Sequence, residues 1–368
     1  MSAEVWILGG TGRSGRAVAA ELVARGVTPV LVGRDAERLA RVAERAGGGR
    51  TVVAGAVDAT AAEIRRQRPA VVINTIGPFL SSATPIARAC LAAGSDYIDL
   101  ANDVAAANAL LRLHDEAVAA GRTLVTGAGF GATATESVVV KLCEDRPEPL
   151  SVRVDMVPSL AIEAGVMGEA LARTLFEGLP GVEGGSRFGG RRYRDGALVA
   201  ARLGGEALRL TLPDGSQVTT SSMPLGELVA ARRASGAPSV VAASSEVPDA
   251  PVVRAVLPAA LSLLAIGPLR EFLIRRMAGL EFKARERPRE YSWGHARVRW
   301  ADGSVREGWL RVGDAQQFTG AVPAEAAFRL LAGTGAAGVS FPAALFGPSL
   351  AEACGGEYLI PEPAGKAS

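Results

Sequence analysis

Residues 5–34, VWILGGTGRSGRAVAAELVARGVTPVLVGR, decide the fold. An apolar run from Val5 to Leu8 passes through four glycines into a helical pattern with Val18, Leu22 and Val23 on one face. A second apolar run begins at Val30 and ends at Gly33-Arg34, about 20 residues beyond the glycine turn. Strand, glycine turn, helix and strand in this order form the βαβ grip for a dinucleotide. Gly10 and Gly12 let the backbone turn and approach a pyrophosphate, Gly15 lets the helix close on the strand, and the helix N-terminus offers N–H groups to the phosphates. The expected phosphate contacts are Gly9, Gly10, Thr11, Gly12, Arg13, Ser14 and Gly15.

Arg34 speaks to the nucleotide. An acid at the end of the second strand holds a ribose 2′-OH, whereas an arginine grips a 2′-phosphate, so NADP is expected over NAD. Asp35 argues the other way, but it precedes AERLARVAERA and is better placed as a helix N-cap.

Working outward, Thr51 to Val57 reads as a third strand ending at Asp58. That residue would either meet the adenine or cap a helix over 60–67. Ala70 to Ile73 is a fourth strand and leads into Asn74-Thr75-Ile76-Gly77-Pro78-Phe79, where the nicotinamide ribose should run; a helix follows over 84–93. A fifth strand at 96–100, a helix over 104–120 and a sixth strand at 123–126 continue the alternation. After them, GAGFG at 127–131 and Thr133, Thr135 and Glu136 suit either a nicotinamide carboxamide or a plain turn before a helix.

Beyond Pro147 the pattern changes to short strands (151–157, 197–203, 207–212, 217–222, 239–246) and a hairpin over 293–312, which predicts a mixed α+β second domain. The predicted architecture is α/β, a doubly wound Rossmann sheet with that second domain. Its boundaries are 1–130 for the NADP-binding domain, 131–335 for a substrate and dimerisation domain, 336–360 for a returning segment and 361–368 for a disordered tail. The apolar interval 256–269 is broken by Pro258, Gly267 and Pro268 and reads as a core or dimer helix. Arg270, Arg275, Arg276 and Lys283 follow it, so attachment to a membrane surface is the alternative.

Composition agrees with a folded two-domain protein: 368 residues, 48% of them hydrophobic. A net charge of +2 without basic blocks gives no reason to expect nucleic acid. Cys90, Cys143 and Cys354 stand too far apart for a zinc site or a disulfide framework, so no metal is expected. Without a leader or an apolar run long enough to span a bilayer, the expected compartment is the cytoplasm.

GGTGRSG, the GR ending at Arg34, NTIGPF at 74–79, DYIDL at 96–100 and GAGFG at 127–131 together resemble the saccharopine dehydrogenase-like NADP-binding family. Within it the chain is similar to the branch of trans-acting enoyl reductases and saccharopine dehydrogenase-like oxidoreductases. GVSFPAALFGP at 338–348 resembles the family's closing segment. The resemblance implies a Rossmann domain, an interrupting α+β domain for substrate binding and often dimerisation, and NADPH-linked hydride transfer. It places Gly9, Gly12 and Gly15 in the phosphate loop, Arg34 at the 2′-phosphate, and Asn74, Gly77 and Pro78 under the nicotinamide ribose. Where the family often carries an acid after the YxD strand, this chain has Asn102 and Asp103.

The expected chemistry is reduction of an imine or an activated C=C bond of a small metabolite by NADPH. No Tyr has a Lys four residues later, and HExxH, GxSxG and Walker motifs are missing. Proton-donor candidates are Asp99, Tyr97 and Asp103; His114 and His295 read as structural or solvent-facing. A protonated imine needs only orientation and a counter-charge. Two rivals are an enoyl reductase acting on a lipid or carrier-bound chain and an NADP-binding redox sensor without turnover. A greasy cleft would favour the enoyl reductase, a polar cleft with arginines the imine.

Overall fold

The computed structural model describes residues 4–176, 189–247, 259–260 and 262–361. The chain divides into two compact units: Met1–Phe130 with Gln316–Cys354, and Gly131–Ala315 with Gly355–Ser368.

The first unit runs β1 (Val5–Leu8), α1 (Arg13–Ala24), β2 (Val30–Gly33), α2 (Ala36–Arg45), β3 (Thr51–Val53), α3 (Val57–Gln67), β4 (Val71–Asn74), α4 (Phe79–Ala93), β5 (Asp96–Asp99), α5 (Val104–Leu111), α6 (His114–Ala120) and β6 (Thr123–Val125). These strands are joined by the returning strand Gly338–Ser340, which pairs with β6, in a parallel sheet ordered β6-β5-β4-β1-β2-β3 from that edge. The chain order reverses between β1 and β4, which makes the carboxyl ends of those two strands the place for a ligand. Strands buried on both faces explain the unbroken apolar runs: Val5, Trp6, Ile7 and Leu8 are all inaccessible.

Several expectations shift in detail. The third strand stops at Val53 and α3 starts at Val57, with Ala56 at its N-cap. The helix expected over 104–120 is two helices, and His114 begins the second. The chain returns to the first unit at Gln316 rather than at 336, and leaves it again at Gly355. The return begins with a helix, Ala315–Leu331, that sequence reading missed. Its pattern is masked by an internal Pro323 and by apolar residues on nearly every face.

α7 (Phe130–Cys143) leads into the second unit. There a mixed sheet is built around β7 (Ser151–Val157), which pairs parallel with Ser239–Ser244 and antiparallel with Ser292–Arg299. The hairpin Ser292–Arg299 and Val305–Val312 forms as expected, while strand Gly189–Arg194 and helix Gly226–Ser235 are additions to the reading. A satellite apolar cluster, Ala172, Phe176, Leu264 and Ile274, sits under helix Gly267–Ala278. Part of the interval 256–269, namely 256–258 and 261, lies outside the described residues, as does the expected tail beyond Pro361. Among the described residues no helix is long and apolar enough to cross a membrane.

Candidate functional site

The glycine turn is held by backbone bonds. The N–H groups of Gly9 and Gly10 both donate to the Val32 carbonyl, at 2.9 and 3.1 Å, and Gly12 N–H donates to Gly9 O at 2.8 Å. Gly9 has φ +76°, a left-handed conformation that a side chain would strain. At Gly15 a Cβ would lie 2.4 Å from Gly9 O, so this position is closed to any other residue. Gly12 differs: it is exposed, it is the N-cap of α1, and no side chain caps the helix there. The first N–H groups of α1 therefore face outward with the helix dipole behind them, a cradle suited to a pyrophosphate.

The end of β2 is equally open. Arg34 is exposed and has no hydrogen-bond or ion-pair partner among the described residues. Asp35 is the N-cap of α2, accepting from Arg38 N–H at 2.9 Å, so its carboxylate is engaged away from a ribose. Two further arginines converge on the turn: Arg16 Nη1 donates to Thr11 O at 3.0 Å and Arg38 Nη2 approaches the same oxygen at 3.5 Å. Arg38 escaped sequence reading because it looked like a surface residue of α2; one helical turn from Asp35, it lies on the side facing the turn. Helix Ala315–Leu331 supports this end of the unit. Gln316 Nε2 approaches Ser14 Oγ at 3.4 Å, Thr319 Oγ1 accepts from Phe130 N–H at 3.1 Å, and Phe318 meets Phe130 edge-on.

The remaining candidates turn inward. Asn74 is fully buried; its Nδ2 donates to Tyr97 Oη at 3.1 Å and lies 3.3 Å from Ser82 Oγ, while Oδ1 accepts from Ile76 N–H at 3.0 Å. Its side chain thus builds the turn before the Gly77-Pro78 pair. Phe79 joins the core. Tyr97 donates to Asp99 Oδ2 at 3.0 Å, and Asp99 Oδ1 accepts from Ala101 N–H (3.0 Å), Thr126 Oγ1 (2.9 Å) and Gly127 N–H (3.1 Å). Asp99 therefore clamps the ends of β5 and β6. Burial pushes its carboxyl up to about 6 despite those four donors, and pushes the Tyr97 phenol well above its ordinary value. Asp103 caps α5, accepting from Ala106 N–H at 2.7 Å. Asp58 is exposed in the first turn of α3, where its charge complements the helix dipole. His114 Nδ1 accepts from Val339 N–H at 3.1 Å, fastening α6 to the returning strand. Asn74, Tyr97 and Asp99 form one buried network, and the phosphate residues with Arg34 form the open edge.

The second unit holds a buried charged cluster of which sequence reading names only His295, there as structural or solvent-facing. Asp155, on β7, is fully buried; Arg153 Nη2 reaches its Oδ1 at 2.8 Å, Thr220 Oγ1 donates to Oδ1 at 2.6 Å, and His295 Nδ1 lies 2.9 Å from Oδ2. His295 Nε2 is 2.9 Å from Glu307 Oε1. Burial opposes ionisation of Asp155, but His295 and Arg153 outweigh it and hold the carboxyl below its usual range. Burial likewise opposes the imidazolium, and the two carboxylates outweigh it and raise His295. Glu227 has a different environment: fully buried, it is pushed up to about 8 by desolvation. Its Oε1 lies 1.8 Å from where a Cβ on Gly131 would stand, which is why position 131 is glycine. A cavity of about 620 Å³ is lined by Arg209, Gln217, Thr219, Ser245, Glu246 and Arg289, with Val218 and Val247. These residues come from separate strands and loops, so sequence gave no sign that they converge.

Residues 5–125 match the family described as the saccharopine dehydrogenase NADP binding domain. The trans-acting enoyl reductase of Mycobacterium tuberculosis is 30% identical over 146 residues, covering 38% of this chain and 35% of the relative. That of Mycobacterium ulcerans is 31% identical over 134 residues, covering 34% and 32%. The chain thus spans about a third of the length of these curated relatives. Apo saccharopine dehydrogenase (L-Glu forming) from Saccharomyces cerevisiae matches 98% of this chain and 100% of its own, with a TM-score of 0.61 at 13% identity, and so shares its fold.

Proposed function

Given an NADP-binding domain of the saccharopine dehydrogenase type at residues 5–125, we propose that this protein is an NADPH-dependent oxidoreductase that reduces a C=N bond, or an activated C=C bond, of a small metabolite. The observation that carries the reading is the open edge of the first unit: an uncapped α1 N-terminus and an exposed Arg34 that has no partner among the described residues. Gly9 to Gly15 would hold the pyrophosphate, and Arg34 with Arg38 the 2′-phosphate. NADPH, when bound, supplies the hydride. The Asn74–Tyr97–Asp99 network acts one step back, fixing the ends of β4, β5 and β6 at the edge where ligands sit in such sheets.

The imine is favoured over the carrier-bound enoyl chain by the cavity of the second unit. Two guanidinium groups, the Glu246 carboxyl, an amide and two hydroxyls suit a charged small molecule better than an acyl chain. A protonated imine accepts hydride and becomes an amine without a further proton, which agrees with Asp99 and Asp103 being committed to the fold. The name of the curated relatives, 30% identical over 146 residues, supports the enoyl reading.

The test is fluorimetric titration with NADPH and NADH, then a screen of imines, enones and 2-oxo acids for NADPH consumption. Turnover of a carboxylate-bearing imine, with KM raised in Arg209→Ala and Arg289→Ala, supports the reading. Turnover of acyl-carrier enoyl substrates alone would replace it, and tight NADPH binding without any turnover would indicate a sensor.

A further inference from the structure

Helix Gly267–Ala278 has two unlike faces. Ile274 is buried and Leu273, Met277 and Ala278 pack on the satellite cluster around Ala172, Phe176 and Leu264. The opposite face is exposed and carries Phe272, Arg275 and Arg276, which i, i+3 and i+4 spacing sets side by side. Phe272 is 60% exposed, an unusual state for a phenyl ring, and Leu263 and Ile266 just before the helix are 55% and 53% exposed. Val166 and Leu280 are also exposed, on neighbouring strands of the small ribbon that follows the helix, where Met167 N–H donates to Leu280 O at 2.9 Å.

The charges around these apolar groups are mostly of one sign. Arg275, Arg276, Lys283, Arg285 and Arg287 are exposed. Over residues 270–290 seven cations face four acids: Glu271, held by Arg173 at 2.9 Å, and the exposed Glu281, Glu286 and Glu290. An apolar surface alone could meet any partner. A projecting aromatic and aliphatic side chains flanked by guanidinium groups match a layer that is apolar at depth and anionic at its rim.

We infer that this face of the second unit docks on an anionic phospholipid surface, with Phe272, Ile266 and Leu263 entering the acyl boundary and Arg275 and Arg276 meeting headgroup phosphates. The attachment is peripheral. It is independent of the proposed reaction, because none of these residues belongs to the first unit or lines the cavity.

The experiment is co-sedimentation of the full chain with vesicles of three parts phosphatidylcholine to one of phosphatidylserine, and with phosphatidylcholine alone. Binding is expected to the anionic vesicles only, weakening as salt is raised. Arg275→Ser with Arg276→Ser should reduce partitioning by roughly tenfold or more, and Arg275→Lys with Arg276→Lys should retain it. Phe272→Ser should reduce it by roughly tenfold. Circular dichroism and NADPH titration on each variant check that it is folded. No binding to anionic vesicles, equal binding to neutral ones, or binding that the folded Ser variants leave intact would each overturn the proposal. So would a wild-type dimer that Phe272→Ser turns into a monomer, since the face would then be covered by a second copy.

Discussion

Asp99 in the first unit and Asp155 in the second are both fully buried aspartates in central strands, yet their carboxyls shift in opposite directions. Asp99 accepts four hydrogen bonds, all from neutral donors, and desolvation prevails. Asp155 accepts from a guanidinium and an imidazole, and desolvation loses. Hydrogen bonds alone do not keep a buried carboxylate ionised at low cost; a formal opposite charge does. The first unit keeps its free charges at the open edge, where a nucleotide can use them. The second keeps a charged cluster inside its sheet.

The largest effect should come from breaking the cluster of the second unit. Asp155→Asn leaves Arg153 and His295 facing a neutral amide and should destabilise that unit by ~3–5 kcal/mol, read as the midpoint of its unfolding transition. Acidity probes the same cluster. Asp155 lies below its ordinary value, so its contribution is present above pH about 4 and is lost as acid is added through its lowered value. His295 lies above its ordinary value, so its contribution is full below pH about 6.5 and is lost as pH rises through the raised value. The second unit should therefore be most stable between those limits, and His295→Gln should flatten the decline on the alkaline side.

At the open edge of the first unit, charge should matter for binding and not for stability. Arg34→Ala should weaken NADPH by ~1.5–3 kcal/mol while leaving NADH and the unfolding midpoint nearly unchanged. Equal weakening of both nucleotides in a titration would remove Arg34 from the 2′-phosphate. Arg38→Ala should act in the same direction by about 1 kcal/mol, because its guanidinium already reaches toward Thr11 O.

The same contrast explains what could be read from the sequence. The first unit was legible because its site is local: Val5 to Arg34 carries the strand, the turn, the helix and the arginine in one run, and each glycine has a backbone reason. What sequence does not show there is the direction of side chains. Asn74 and Asp99 stand at the carboxyl edge of the sheet, where ligands bind, but the bonds that turn them inward come from Tyr97, Ser82 and Thr126 on other segments. In the second unit the informative groups are long-range by construction. Asp155, Thr220, His295 and Glu307 come from four strands, and no spacing in sequence signals that they meet. GAGFG at 127–131 suits either a nicotinamide carboxamide or a plain turn in sequence, and only the close approach of Glu227 shows a packing role for Gly131.

The smallest effect sharpens the opening comparison most. In Asp99→Asn the amide oxygen can keep the bonds from Ala101, Thr126 and Gly127, and the amide group can donate to Tyr97 Oη. The Tyr97 hydroxyl then loses its acceptor, a loss of about 1 kcal/mol. Against this, the wild-type carboxyl, with a folded value of about 6, is ionised at neutral pH while buried, and the substitution removes that penalty. The two terms oppose each other, so the first unit should change by less than about 1 kcal/mol at pH 7, compared with ~3–5 kcal/mol for Asp155→Asn in the second. The pH profile carries the sign. A carboxyl raised in the folded state contributes most when protonated, so the wild-type first unit should lose stability as pH rises from about 4 to about 6, and the variant should not. A variant that loses several kcal/mol at pH 7 and keeps the slope would mean that Asp99 is held by charge after all, and the distinction between the two aspartates would fail.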